Sequence, residues 1–98
     1  MKYTIKISTH AKSDRKEITT YLAQFSTAAP IKFKRELKKY LGIIGSRPNI
    51  FAKHNSNPSY RHIVIFGSYT MFYTVDEESR TVFVYRILHG SQDIPNIL

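Results

Sequence analysis

The chain has 98 residues, a formal charge of +8 and no cysteine, and 42% of its residues are hydrophobic. That length predicts one domain spanning residues 1–98, and the absent cysteines exclude a disulfide framework, a thiolate metal site and a thiol nucleophile. Met1–Lys6 lacks the apolar stretch of a signal peptide, and no run approaches the roughly 20 apolar residues that cross a bilayer, so the expectation is a soluble cytoplasmic protein with no membrane partner.

Tyr3 to Ser8 alternates, with Tyr3, Ile5 and Ile7 on one side and Thr4, Lys6 and Ser8 on the other, which reads as a strand with one solvated face. Ser8 or Thr9 can cap a following helix, and Asp14 with Glu17 places negative charge near its positive end. That helix is expected from His10 or Ala11 to Phe25. Ala11, Ile18, Tyr21, Leu22 and Phe25 form its apolar stripe, and Asp14, Arg15, Lys16 and Glu17 lie largely off it. Ser26-Thr27 interrupts, and Ala28-Ala29-Pro30 suits a new first turn, where proline's missing amide is harmless.

In the second helix Phe33, Leu37, Tyr40, Leu41 and Ile44 recur at three- and four-residue spacing until Gly42, Gly45 and Pro48 weaken and end it. The complementary face carries Lys32, Lys34, Arg35, Lys38 and Lys39. Residues 1–55 hold twelve Lys or Arg against three Asp or Glu, a net of +9, whereas residues 56–98 hold three against four, a net of −1. The cationic run is either a solvated face or a surface for an anionic partner, with nucleic acid and an acidic protein segment as candidates ahead of an anionic membrane face.

Arg47 to Ser59 reads as a loop rich in turn formers. Three strand-like segments follow: Tyr60–Phe66, Tyr69–Val75 and Arg80–Gly90. Gly67-Ser68 and Asp76-Glu77-Glu78-Ser79 supply the turns of a meander. The order β-α-α-β-β-β predicts an α+β two-layer domain, a helical hairpin packed on a mainly antiparallel four-stranded sheet; a double-stranded RNA-binding domain would need another order. In the tail, Asp93-Ile94-Pro95-Asn96-Ile97-Leu98, the aliphatics are expected to pack back on the domain or to join a partner surface.

Arg61 and Arg86 stand inside otherwise apolar strands, so each needs a carboxylate, a carbonyl, water or an anionic ligand. As structural groups they would pair with Asp93, Asp76 or a terminal carbonyl. As functional groups they would clamp phosphate, with His62, His54 or His89 as acid or base and Tyr85 orienting or donating. Alternation separates Arg61, Ile63 and Ile65 from Tyr60, His62, Val64 and Phe66, and it places Val82, Val84, Arg86 and Leu88 opposite Thr81, Phe83, Tyr85 and Ile87. His62 reads as a solvated edge residue, and His10 and His54 as surface groups. No histidine pair has metal-ligand spacing, and no cofactor is implied.

Tyr3–Ser8 leading into Ala11, Asp14 and Glu17-Ile18, Tyr60-Arg61 opening a strand, Phe72–Asp76, and Tyr85–Gly90 followed by Asp93-Ile94 together resemble the RelE/ParE superfamily of type II toxin-antitoxin toxins, over the whole chain. The long hairpin and the Arg86–Gly90 ending look more like the ParE branch. That resemblance implies a growth-inhibiting toxin neutralised by a cognate antitoxin, in a heterotetramer or higher assembly. ParE-like toxins are associated with poisoning of DNA gyrase and lack an evident nuclease site, whereas RelE-like toxins cut ribosome-bound mRNA without a metal. RelE-like nucleases concentrate basic and titratable residues at the end of the last strand and beyond, where this chain offers only His89 as a base. The expectation is therefore a gyrase-directed binding module, with metal-free ribosome-dependent endoribonuclease as the alternative. Catalytic candidates for the latter are Arg61, Arg86 and His89. Target or antitoxin contacts are expected at Lys32, Lys34, Arg35, Lys38, Lys39, Arg61, Arg86, His89 and Ile94.

Overall fold

The computed structural model describes residues 2–90. Its elements, in chain order, are β1 (Thr4–Ile7), α1 (Thr9–Ala23), α2 (Ala28–Ser46), β2 (Arg61–Ile65), β3 (Tyr69–Asp76) and β4 (Thr81–His89). The sheet order is β1-β4-β3-β2, parallel between β1 and β4 and antiparallel elsewhere. This is the α+β hairpin-on-sheet architecture that the element order implies. Parallel pairing of β1 with β4 requires the chain to cross over between them, and the two helices provide that crossover.

One sheet face meets both helices. Ala11, Ile18 and Leu22 of α1 and Phe33, Leu37 and Ile44 of α2 pack with Ile63, Ile65, Met71, Tyr73, Val82 and Val84. Ser8 caps α1: its hydroxyl oxygen accepts from the Ala11 amide at 2.9 Å. The helix begins at Thr9 and stops at Ala23, two residues before Phe25. Tyr21 and Phe25 are exposed rather than in the core, while Asp14 is buried on the stripe with Ala11, Ile18 and Leu22. The stripe thus tilts toward β4, and a carboxylate occupies one of its inward positions.

In α2, Gly45 lies inside the helix and does not end it: a Cβ there would sit 3.2 Å from Ile5 Cδ1, so the glycine lets β1 approach. β2 stops one residue short of Phe66. Phe66 and Gly67 turn with φ of 56° and 72°, and the Glu36 carboxylate accepts from the Phe66 amide at 3.0 Å, holding a left-handed conformation that a bulky residue seldom adopts. The segment expected as an irregular loop pairs in part with β2: Lys53 bridges Arg61, and the His62 amide donates to the Ala52 carbonyl. The edge strand is thereby partly covered.

β4 contains the main departure from simple alternation. Phe72 faces Arg86 but Tyr73 faces Val84, so Tyr85 is the extra residue of a β-bulge. Beyond it the faces exchange, and Ile87 joins Val82 and Val84 in the core instead of lying opposite them.

Candidate interaction site

Three regions hold the polar groups singled out in the sequence: the strand arginines, the sheet face away from the helices, and the cationic side of the hairpin.

β1 ends at Ile7, so β4 beyond the bulge has no strand on that side, and α1 runs beside it. Asp14 fills the gap. Its Oδ2 accepts from the Ile87 amide at 3.0 Å and from Arg86 Nε at 2.8 Å, while its Oδ1 accepts from Arg86 Nη2 at 2.9 Å. One carboxylate therefore satisfies an edge amide and a guanidinium fork together, and that bonding raises the Arg86 pKa above its ordinary value. The partner is Asp14, not Asp76, and Asp93 lies outside the described residues. Asp14 was legible as a buried acid only from its three- and four-residue spacing to Ala11 and Ile18.

Arg61 is half-buried on the core-facing side of β2 and donates from Nη1 to the Phe51 carbonyl at 2.6 Å. With Lys53, Ser59, Asn49, Thr74 and Glu77 it lines a cleft of about 300 Å³. Tyr3 and Asn49 donate to the Glu77 carboxylate, and these bonds lower its pKa. Arg61 and Arg86 thus sit on different sides of the sheet, because the bulge at Tyr85 turns Arg86 away from the core face that unbroken alternation would have given it with Val82 and Val84, and no phosphate clamp joins them.

On the face away from the helices, β2 and β3 present His62, Val64, Thr70, Phe72 and Thr74, none of them a lysine or arginine. His62 is not the solvated edge residue expected. The His54 ring covers it edge-on at 5.1 Å and touches Phe72 at 5.0 Å, and His62 Nδ1 is buried without a hydrogen bond. Burial, and then the proximity of His54, holds the His62 imidazole below its ordinary 6.5, so it is mostly neutral near pH 7. Tyr60 and Tyr85 lie 5.2 Å apart above the bulge, and burial followed by Tyr85 raises the Tyr60 pKa. Phe72 separates His62 from Arg86 in the ladder, a Cα separation of about 10 Å. His89 is exposed at the end of β4, its ring 5.3 Å from Tyr69. Among the described residues, no group of three His, Asp or Glu is placed to hold a metal ion.

On the hairpin, Lys32, Lys34, Arg35, Lys38 and Lys39 are all exposed. They divide by helical angle. Lys34 and Lys38 turn toward α1 and, with Arg15, wall a groove of about 400 Å³ floored by Leu37 and Leu41. Lys32, Arg35 and Lys39 form a separate outward stripe. Ile94 lies outside the described residues.

A two-helix, four-stranded domain with this order is the RelE/ParE fold, and solved structures match it. A variant of the E. coli toxin RelE in the free state aligns with a TM-score of 0.72 at 20% identity, covering 99% of this chain and 93% of that one. The chromosomal ParDE toxin-antitoxin system of P. aeruginosa gives 0.70 at 14% identity, over 89% and 95%. The intact E. coli RelBE toxin-antitoxin complex gives 0.67 at 21% identity, over 92% and 99%. Comparison with curated protein sequences finds no match. The family model for the ParE toxin of the type II toxin-antitoxin system parDE matches residues 5–94. The chain belongs to the ParE toxin family, within the RelE/ParE superfamily of type II toxin-antitoxin toxins.

Proposed function

We propose that this toxin is a binding module that inhibits DNA gyrase and that a cognate antitoxin neutralises it. The observation that carries the first part is the Asp14–Arg86 pair. Metal-free cleavage of RNA needs free cations against the phosphate as well as an acid and a base. Arg86 shares the ladder row of His62 and Phe72, but two of its donors are committed to Asp14, and the open positions of β2 and β3 carry no other cation. That leaves Val64 exposed among the part-buried His62, Thr70 and Thr74, with Phe72 buried beneath them, a face better suited to binding a protein than to stabilising a cleaved phosphate.

The groove between the helices supports the second part. Arg15, Lys34 and Lys38 around Leu37 and Leu41 fit an acidic segment with apolar side chains that orders on binding. The endoribonuclease alternative draws on one feature, the His54–His62 pair beside Tyr60 and Tyr85.

Purified protein is expected to inhibit gyrase supercoiling or trap cleaved DNA, and to leave mRNA on translating ribosomes intact. Primer extension that reveals ribosomal A-site cuts, lost in His62→Ala or His89→Ala, would reverse the choice. A neighbouring small protein that fails to raise the melting temperature or rescue growth would remove the antitoxin part.

A further inference from the structure

Positions 32, 35 and 39 recur at three and four residues, so Lys32, Arg35 and Lys39 share one side of α2. Taking 100° per residue from the buried direction of Phe33, Leu37 and Ile44, Arg35 points directly outward. Lys32 and Lys39 flank it on the side away from α1. Each is exposed, and the one ion pair among the described residues is Asp14–Arg86, so no carboxylate neutralises the stripe. Glu36, the acid within its span, is turned to the Phe66 amide. Lys39 Nζ sits over the Tyr40 ring, 5.6 Å from its centroid, which leaves its charge without a carboxylate.

The stripe differs from the neighbouring groove in a way that bears on its partner. Arg15, Lys34 and Lys38 surround an apolar floor, which an amphipathic segment would use. Lys32, Arg35 and Lys39 stand on the outward side of the helix, where the exposed Ile31 is the large apolar side chain beside them. A phosphate backbone asks for no such floor, only for long cationic arms on a surface that can approach it. From residue 32 to 39 the helix rises about 10.5 Å, and duplex DNA presents one charge per about 1.7 Å of its axis, so three arms can each find a phosphate.

We propose that Lys32, Arg35 and Lys39 bind the phosphate backbone of duplex DNA without sequence preference, so that the toxin meets its target on DNA. The choice of DNA rests on the gyrase reading above. The contact is electrostatic, governs encounter more than final affinity, and leaves the groove free for the antitoxin.

The test uses fluorescence anisotropy of the full-length toxin with a labelled duplex of about 20 base pairs and no gyrase present. Three contacts predict a slope of log K against log salt of about −2.7, reduced by about one for each of Lys32→Gln, Arg35→Gln and Lys39→Gln. At about 50 mM salt each substitution is expected to weaken binding on the order of tenfold, with an unchanged melting temperature. The proposal fails if the triple variant binds the duplex as wild type does. It also fails if Lys34→Gln with Lys38→Gln removes as much of the slope as the stripe variants. Binding of poly-glutamate without binding of duplex DNA would likewise overturn it, in favour of an acidic protein partner. Gyrase inhibition that persists in a toxin unable to bind bare DNA would sink this inference alone and leave the function proposed above standing.

Discussion

Replacing Arg86 with alanine removes two charge-assisted hydrogen bonds, at 2.8 and 2.9 Å, and leaves the 8%-exposed Asp14 with the Ile87 amide as its remaining donor. Breaking one side of a fully buried ion pair costs about 3–5 kcal/mol, mostly because the other charge is stranded. Here the Arg86 side chain is 21% exposed, so water can reach the stranded carboxylate, and about 2–3 kcal/mol is the appropriate magnitude. At about 4–8 °C per kcal/mol for a domain of this size, the melting temperature should fall by roughly 10–20 °C. Such a loss is below the usual 5–15 kcal/mol of total stability, so the variant should still fold at 25 °C. Urea and thermal melts of Arg86→Ala, Asp14→Ala and the double variant form a cycle, and a coupling of about 2 kcal/mol is expected. Arg86→Lys should recover only part of the loss, because an ammonium keeps the charge but not the fork. Toxicity should decline in step with stability. An Arg86→Ala protein that melts within about 1 kcal/mol of wild type yet is no longer toxic would show that the guanidinium serves a target rather than the fold.

His62, held below its ordinary 6.5 by burial, binds a proton more readily in the unfolded chain. Its stabilising contribution is therefore present above that value and lost as pH falls through the lower folded pKa, so melting temperature should drop on acidification below about pH 6.5, and less so in His62→Gln. Tyr73, whose pKa burial pushes up to about 12, donates to the Pro48 carbonyl at 2.7 Å; Tyr73→Phe should cost about 1–2 kcal/mol in urea melts and loosen the segment after α2. A neutral result there would mean that the carbonyl finds water without cost. Lys34→Glu with Lys38→Glu should weaken antitoxin binding at least tenfold by calorimetry while leaving the melt unchanged, and undiminished affinity would move the docking site away from the groove.

Local pattern was enough to place the hairpin, the meander and the cationic face. Residues such as Phe33, Leu37 and Ile44, or Ile63 and Ile65, bury at the spacings that their periods dictate, and the lysines of α2 have no alternative to solvent. The electrostatic assignments depended on contacts between distant parts of the chain. Asp14 and Arg86 are 72 residues apart, and nothing near either one shows that an edge amide and a guanidinium need the same carboxylate. The bulge at Tyr85 belongs to this group too: it arises from the register against β3, which periodicity within β4 cannot reveal, and it exchanges the faces of every residue beyond it. His62 was misread for the same reason, since the ring that covers it comes from a segment whose turn-forming residues hide its pairing with β2. Sequence periodicity reports which side of an element is apolar. Only the assembled sheet decides which charge meets which partner, because that depends on register and on the edges left open when β1 stops at Ile7.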